Sequence, residues 1–109
     1  MIKVCIYYPN KEDSKFDMDY YLHTHMPMSI AKQGSGLKSA SIDIGVNGGP
    51  PDSKPPYVVV CNLLYETIEA FYSAFMPHAE VLMNDIKNYT DVETIVQISE
   101  VKNLPLSNK

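Results

Sequence analysis

Runs of apolar side chains alternate with amphipathic stretches along this chain, and their order predicts four strands and two helices. Residues 2–8 combine β-branched and aromatic side chains, and residues 57–65 are almost continuously apolar, as expected for strands in the middle of a sheet. Residues 37–46 alternate apolar with polar side chains, which indicates a half-buried strand. Residues 92–101 form the last predicted strand.

Two helices are predicted between these strands, and a proline interrupts each of them. In the first, which Asp17 can cap, an amphipathic stripe recurs at helical spacing through Met18, Tyr21, Leu22 and His25. Pro27 disfavours helical geometry at Met26, so we expect a break or kink there. The second helix is predicted from about Thr67 and is interrupted at Pro77. One of its faces is formed by the apolar side chains of Ile68, Phe71, Tyr72 and Phe75.

The order β-α-β-β-α-β predicts a ferredoxin-like α+β fold, with one four-stranded antiparallel sheet in a single domain over residues 1–109. A weak internal repeat supports this order, because Met26-Pro27 and Met76-Pro77 stand 50 residues apart at matched places in the two helices. Helices on one face of a sheet leave its other face uncovered. Since the central strands are apolar on both sides, we expect a second copy of the chain to cover that face in a homodimer.

Composition narrows the classes of partner. The chain has 109 residues, of which 45% are hydrophobic and 20% are charged, and its formal net charge is −4. An acidic chain without a basic cluster is not expected to bind nucleic acid or an anionic membrane surface. No run approaches the roughly 20 apolar residues of a membrane span, and the N-terminal residues lack the organisation of a signal peptide. We therefore expect a cytoplasmic protein that does not enter the membrane.

The spacing of cysteines and histidines does not predict a metal site. Cys5 and Cys61 fit no zinc motif, and His23 and His25 are not followed by a convincing third ligand. We expect the first and third strands to be parallel neighbours, which can bring the two cysteines close, but we expect both to remain reduced thiols. For Cys61 two interpretations stay open, an inert buried side chain and a nucleophile or proton donor.

His25 is the strongest candidate for acid–base chemistry. It lies on the stripe of the first helix, beside the interruption at Pro27, where it can face a pocket. Imidazole titrates near pH 6.5, so such a residue can transfer a proton at neutral pH without a cofactor. The alternative is a core histidine that is bonded to a backbone carbonyl. His23 falls on the opposite side of the helix, where Asp19 can pair with it.

Further candidates lie on the first strand and around the second helix. Tyr7 and Tyr8 point to opposite faces of the sheet, so one of them can line a cavity beneath the helices, although filling the core or an interface is the commoner role. His78 stands at the second proline interruption. Asp85 and Tyr89 belong to a polar segment that ends the second helix, for which turn formation is the alternative.

Two segments of the chain resemble the signature of EthD-like proteins. Residues 17–27 (DMDYYLHTHMP) are similar to its Tyr-Tyr…His-x-Pro motif, and residues 75–91 (FMPHAEVLMNDIKNYTD) are similar to its second motif, which ends in residues 97–101 (QISEV). The resemblance covers nearly the whole chain and implies the dimeric α+β barrel fold of that family. The chain departs from the family at Lys87, where a proline is common, and at Glu93-Thr94.

The resemblance also has implications for function. The EthD-like family is named after a protein encoded with an ether-degrading oxygenase system, and relatives of the same fold include a lactone isomerase and polyketide-tailoring enzymes that work without a cofactor. His25 matches the histidine of the family, and Asp85 with Tyr89 matches its second motif. The resemblance therefore implies that these three residues are catalytic and that no cofactor is needed.

Three interpretations of function follow from these observations. The first is an enzyme of oxidoreductase or oxygenase, isomerase or dehydratase type that acts on a small apolar or aromatic metabolite in catabolism or secondary metabolism. The second is a non-catalytic accessory or carrier protein of an oxygenase degradation system, and a dimeric scaffold with a filled cavity is a third, blander reading. The residues expected to contact a substrate are Tyr7, Tyr21, Cys61, Phe75 and His78.

Overall fold

The computed structural model describes residues 1–107, so the last two residues of the predicted domain lie outside the described part. The strands are β1 (Ile2–Pro9), β2 (Ser39–Ile44), β3 (Tyr57–Tyr65) and β4 (Ile95–Glu100). The α-helices are α1 (Met18–Tyr20), α2 (Met26–Gln33), α3 (Ile68–Phe75) and α4 (Ala79–Asp85). A π-helical turn (Tyr21–His25) joins α1 to α2, and a 3-10 turn (Met76–His78) joins α3 to α4. Further 3-10 turns follow α2 (Gly34–Gly36) and α4 (Ile86–Asn88).

The strands form one antiparallel sheet in the order β2-β3-β1-β4, which confirms the predicted α+β fold. The expectation that β1 and β3 run parallel is wrong. The helical connection after β1 leads to β2, which lies at an edge of the sheet in the same direction as β1. The connection after β2 then reverses the chain, so that β3 inserts between these two strands and is antiparallel to both.

The antiparallel register separates the two cysteines. Cys5 lies opposite Asn62, whereas Cys61 lies opposite Ile6. Directly opposed residues share a face of the sheet and neighbouring residues alternate, so the two thiols project from opposite faces. Both thiols are free, as predicted, and the Cys5 thiol donates to the Asn62 side chain over 3.5 Å.

The first helix begins at the predicted residue but does not break at Pro27. The Asp17 carboxylate accepts from the backbone N–H of Tyr20 at 3.1 Å and caps α1. The chain has no break there, since Met26 keeps helical dihedral angles. The helix passes through the π-helical turn, in which the N–H of Met26 donates to the carbonyl of Tyr21, five residues earlier. The widened turn keeps the helix continuous, since Pro27 then occupies the first turn of α2, where its missing N–H matters least.

The second helix also begins where the sequence indicates. The Thr67 hydroxyl accepts from the N–H of Ala70 at 3.1 Å and caps α3. The 3-10 turn at Met76–His78 then separates α3 from α4, as expected from Pro77. The two helical segments pack on one face of the sheet, and the core lies between them and the central strands. Its least exposed side chains are Val4, Tyr8, Tyr21, Val59, Cys61, Leu63 and Tyr65.

The edge strands are shorter and more exposed than predicted. Residues 37–46 and 92–101 were expected to be strands, and β2 and β4 occupy only their middle parts. Ile44 on β2 and Val96 on β4 are 51% and 55% exposed, because the helices cover the central strands and leave the edges open. The protein is correspondingly thin, with a shortest extent of 21 Å, close to what one sheet and one helical layer occupy.

Candidate functional site

A cavity of about 230 Å³ lies between the sheet and the two helical segments. The central strands form its floor with Val4, Ile6, Tyr8, Cys61 and Leu63. Its helical wall includes Tyr21, His25, Ser29, Phe71, Phe75 and Tyr89. An apolar lining with a few polar groups is the usual composition of a small-molecule site.

His25 lies in the wall of this cavity, and Asp85 holds it in place. Its Nδ1 lies 2.8 Å from Oδ2 of Asp85, and its side chain is 9% exposed. In the neutral ring, Nδ1–H donates to the carboxylate and the lone pair is left on Nε2. Within residues 1–107 no protein group is hydrogen-bonded to that Nε2. The arrangement is that of a base whose tautomer is set by a carboxylate behind it.

Asp85 is itself positioned by side chains from both helical segments. Its carboxylate accepts from the Tyr20 hydroxyl at 2.7 Å and from the Asn88 amide at 2.9 Å, in addition to His25. Partial burial raises the pKa of Asp85, but these hydrogen bonds outweigh that effect and hold its pKa below the ordinary value. Asp85 is therefore ionised at neutral pH.

Within the π-helical turn, two aromatic rings face the cavity, as expected for residues four apart on a helix. Tyr21 and His25 are the first and last residues of this turn, and their rings stack with 5.7 Å between centroids and 13° between planes. Both side chains are buried, whereas His23 and Thr24 between them are exposed. Single π-helical turns inside α-helices occur frequently at functional sites, where the extra residue redirects side chains.

Two tyrosine hydroxyls form a second polar element of the cavity. The hydroxyls of Tyr8 and Tyr89 lie 2.8 Å apart, and the Tyr89 ring centroid is 4.7 Å from that of His25. Burial raises the pKa of Tyr8 to about 12 and also raises that of Tyr89. Both phenols are therefore neutral at physiological pH, so one of the two hydrogens remains available to a ligand.

Tyr21 and Cys61 meet at the floor of the cavity. The Tyr21 hydroxyl is fully buried and has no hydrogen-bond partner among the described residues. Burial raises the pKa of the Cys61 thiol to about 11 and raises the pKa of Tyr21 further above its ordinary value. Because the thiolate is the nucleophilic form, a neutral Cys61 is unsuited to nucleophilic catalysis at neutral pH.

Comparison with solved structures places this architecture among known proteins. An EthD-like protein from Ralstonia eutropha JMP134 is 37% identical to this chain and matches it with a TM-score of 0.86, over 91% of this chain and 89% of that one. The chain belongs to the EthD-like family. An EthD family protein from Bacillus halodurans C-125 is 18% identical, with a TM-score of 0.68 over 94% of this chain and 99% of that one, and this second likeness shows the fold alone. No family model and no curated protein matches the chain.

In this EthD-like chain, the structure brings together most of the residues that the sequence singled out. His25 and Tyr89 line the cavity, and Asp85 lies directly behind His25. Of the five expected substrate contacts, the cavity is lined by Tyr21, Cys61 and Phe75. The interpretation of His25 as a core histidine bonded to a backbone carbonyl does not describe this geometry. His23 pairs with Asp19 over 3.7 Å on the exposed side of the helix, as expected.

The other two expected contacts lie elsewhere. Tyr7 is on the open face of the sheet, where its ring centroid is 4.9 Å from that of Tyr57. Tyr8 lines the cavity in its place, since alternate residues of a strand face opposite sides. His78 belongs to the 3-10 turn between α3 and α4 and is not part of the cavity lining.

Several residues of the site were not singled out by the sequence analysis. Tyr20 and Asn88 hold Asp85, and Ser29 lines the cavity beside His25. Ser29 follows His25 by four residues, so helical periodicity could have predicted that both side chains face the cavity. Nothing local indicates that Tyr20 meets Asp85, because 65 positions separate the two residues.

The described residues contain neither a metal-binding group nor a membrane-spanning helix. No cluster of three or more His, Cys, Asp or Glu side chains in residues 1–107 has the geometry to hold a metal ion. No helix in that range combines the length and the apolar character that crossing a membrane requires.

Proposed function

We propose that this EthD-like protein is a cofactor-independent enzyme that moves a proton on a small apolar or aromatic molecule. The observation that supports this most is His25, which faces an apolar cavity while Asp85 holds its Nδ1 at 2.8 Å. Of the reaction types expected from the sequence, isomerisation and dehydration need only proton transfers of this kind. We therefore propose that the protein is an isomerase or a dehydratase.

In the proposed mechanism, Nε2 of His25 takes a proton from the bound molecule. The resulting imidazolium is stabilised by the ionised Asp85, whose charge is in turn held by hydrogen bonds from Tyr20 and Asn88. The paired hydroxyls of Tyr8 and Tyr89 offer a neutral donor to charge that develops on the substrate. Return of the proton to a different atom completes an isomerisation and regenerates neutral His25.

Deuterium exchange into a simple ketone tests this proposal without knowledge of the natural substrate. The probe is 2-tetralone, an uncharged two-ring ketone, and NMR follows the loss of its α-hydrogens in buffered D2O. We expect the native protein to accelerate exchange above buffer and the His25→Ala variant to lose about 10²-fold or more of that acceleration. The matched control is His23→Ala, which removes an exposed histidine of the same helix and leaves the rate unchanged. Undiminished exchange in His25→Ala would falsify the proposed role.

The second candidate function is that of a carrier or accessory protein, which the predominantly apolar lining favours. A carrier needs the cavity but does not need a base. Titration of the 15N-labelled protein with 2-tetralone distinguishes the two functions. Chemical-shift changes at cavity residues without accelerated exchange support the carrier, and changes together with exchange support the enzyme.

We also propose that two copies of the chain pair through the open face of the sheet. Tyr7, Tyr57 and Val60 form a half-buried apolar area there, and Ile95 beside Tyr7 is 50% exposed. A second copy that covers this area would bury at least about 1,200 Å², as stable interfaces do. Light scattering at micromolar concentration should then give twice 12.3 kDa, whereas a mass of 12.3 kDa would refute the pairing.

A further inference from the structure

A chain of three buried polar side chains ends at the cavity and has no part in the proposed proton transfer. Ser29 and Gln33 are each 5% exposed, and Tyr65 is fully buried. Ser29 and Gln33 occupy successive turns of α2, and Tyr65 ends β3. Buried polar groups cost free energy unless they are hydrogen-bonded, so their partners are informative.

The hydrogen bonds along this chain run in one direction, towards the cavity. The Tyr65 hydroxyl donates to Oε1 of Gln33, and Nε2 of Gln33 donates to Oγ of Ser29 over 3.1 Å. The Ser29 hydroxyl thus accepts a hydrogen bond from the protein, while its own hydrogen has no acceptor among the described residues. Ser29 lines the cavity, so this hydrogen is available to a ligand there. Donors in such a chain polarise one another.

Ser29 stands at a suitable distance from the base. It follows His25 by four residues on the cavity side of the helix, which corresponds to a rise of about 6 Å along the axis. A ligand that reaches Nε2 of His25 with one atom can therefore reach the Ser29 hydroxyl with an atom one or two bonds away. Tyr21 precedes His25 by four residues, as Ser29 follows it by four, and Tyr21, whose hydroxyl is buried, lines the same cavity.

The charge and size of the cavity restrict the ligand further. Of the described residues that line it, none is Lys or Arg, and the ionised Asp85 lies behind its wall. An anionic ligand would therefore be repelled and left without a countercharge. A volume of about 230 Å³ is below the roughly 300–1,000 Å³ of pockets for drug-sized molecules, so the ligand is small.

We infer that Ser29 binds the carbonyl oxygen of the ligand, and that the ligand is an uncharged, enolisable carbonyl compound of one or two rings. This inference rests on the proposed function, because it names the ligand class of the same cavity. When His25 Nε2 removes a proton from the α-carbon, the C–H electron pair forms a C=C bond and the carbonyl π pair moves to oxygen. The Ser29 hydroxyl donates to that oxygen as its charge develops.

The reaction is balanced without a further reactant. If the Nε2 proton is first replaced by one from solvent, its return to the same carbon exchanges the α-hydrogen. Its return to the far carbon of an unsaturated ketone instead shifts a double bond. The carbonyl is restored in both cases, and nothing is oxidised or reduced. Gln33 and Tyr65 are positioning residues, since they direct the Ser29 hydrogen into the cavity and do not touch the ligand.

A pair of probes isolates the contribution of the carbonyl group. 2-Tetralone and tetralin share a two-ring skeleton and differ in the ketone oxygen, so the ratio of their Kd values measures recognition of that oxygen. Titrations of the 15N-labelled protein should show that the native chain binds 2-tetralone about tenfold more tightly than tetralin. Ser29→Ala should lower this ratio towards one, because it removes the hydroxyl that donates to the ketone oxygen and leaves the apolar walls intact. The control is Ser73→Ala on the exposed side of α3, which should keep the native ratio.

A second variant tests the direction of the hydrogen-bond chain. Without the Tyr65 hydroxyl, as in Tyr65→Phe, the Gln33 amide can rotate and accept the Ser29 hydrogen through Oε1. We therefore expect Tyr65→Phe to lower the preference for the ketone although Ser29 is still present. Adding Gln33→Leu to Tyr65→Phe removes the competing acceptor and should restore part of that preference. Tyr72→Phe, at an exposed tyrosine of α3, is the matched control. A structural role for Tyr65 alone would lower stability and leave the ratio unchanged.

The outcomes separate this inference from the proposed function. An unchanged ratio in Ser29→Ala, with exchange that still depends on His25, overturns the role of Ser29 and leaves the proposed function in place. Equal affinity of the native protein for both probes also overturns it. Failure of both probes to bind overturns the inference and the proposed function together. A ratio that falls in Ser29→Ala and Tyr65→Phe, and in neither control, supports the inference.

Discussion

The two helical segments carry the same Met-Pro pair and use it in opposite ways. In the first segment the pair follows a π-helical turn, and Met26 is 6% exposed. In the second it forms a tighter 3-10 turn, and Met76 is 58% exposed. His25, in the wide turn, lines the cavity, whereas His78, in the narrow turn, is not part of its lining. One dipeptide is thus compatible with two turns, and the surrounding packing selects between them.

The segments also contribute different parts of the site. The first provides the candidate base, and the second provides Asp85, the carboxylate that holds it. Aromatic packing surrounds the first turn, where the Tyr21 ring lies between those of Tyr8 and His25. Before the second turn, Phe75 stacks on Phe71 with 5.5 Å between ring centroids, and Met76 itself is exposed. The weak internal repeat therefore describes how the chain is built and does not describe two equivalent sites.

The methionines should give the largest difference between the two segments. Met26→Ala should lower the free energy of unfolding by about 2–5 kcal/mol, because it empties a buried position beneath the helix. Met76→Ala should change it by less than about 0.5 kcal/mol, since that side chain is already in solvent. Urea denaturation of the two variants measures both values. Equal losses would show that Met76 is packed and that the contrast drawn above is wrong.

Asp85→Asn tests the link between the segments and should have a smaller effect. At pH 7 the variant should be less stable by about 1–3 kcal/mol, because it replaces a charged acceptor of three hydrogen bonds. The folded pKa of Asp85 lies below its ordinary value of 3.8, so its contribution is present above that pH and is lost as the pH falls through the folded pKa. The difference between native protein and variant should therefore shrink in acid.

Denaturation curves at pH 7 and below pH 4 check this pH dependence. Asp52→Asn, in an exposed loop, is the control and should follow the native protein at both values. A difference that stays constant or grows in acid would contradict the assignment of Asp85 as the ionised partner of His25.

Substitution of the prolines should give the smallest change in stability, and the change in structure should stay close to the substituted residue. Pro27→Ala adds an N–H that can donate to the carbonyl of His23 in an α-helical bond, so the π-helical turn loses its advantage. We expect a change of no more than about 1 kcal/mol in stability, together with shifts of the His25 ring signals in NMR spectra. Pro77→Ala should leave those signals in place. Identical spectra for both variants would mean that the wide turn does not depend on Pro27.

The sequence indicated the fold more completely than the site. Strand β3 was predicted with the bounds it has, the first helix begins after the predicted cap Asp17, and the second begins at Ile68, next to the predicted start at about Thr67. The edge strands were predicted too long, because alternation continues into residues that leave the sheet. The parallel arrangement of β1 and β3 was wrong, since strand direction depends on the connections and not on the composition of a strand.

What the sequence by itself determined was local: the order of the elements, the caps, the interruptions and the face of the helix on which His25 lies. These follow from propensities and periodicities that act over a few residues. The tertiary structure alone decided that His25 meets Asp85, that Tyr8 rather than Tyr7 meets Tyr89, and that Gln33 joins Tyr65 to Ser29. The first of these contacts joins residues 60 positions apart and the second 81. They form only when the helices pack on the sheet, because a hydrogen bond at that separation depends on the positions of whole elements and not on the residues beside it.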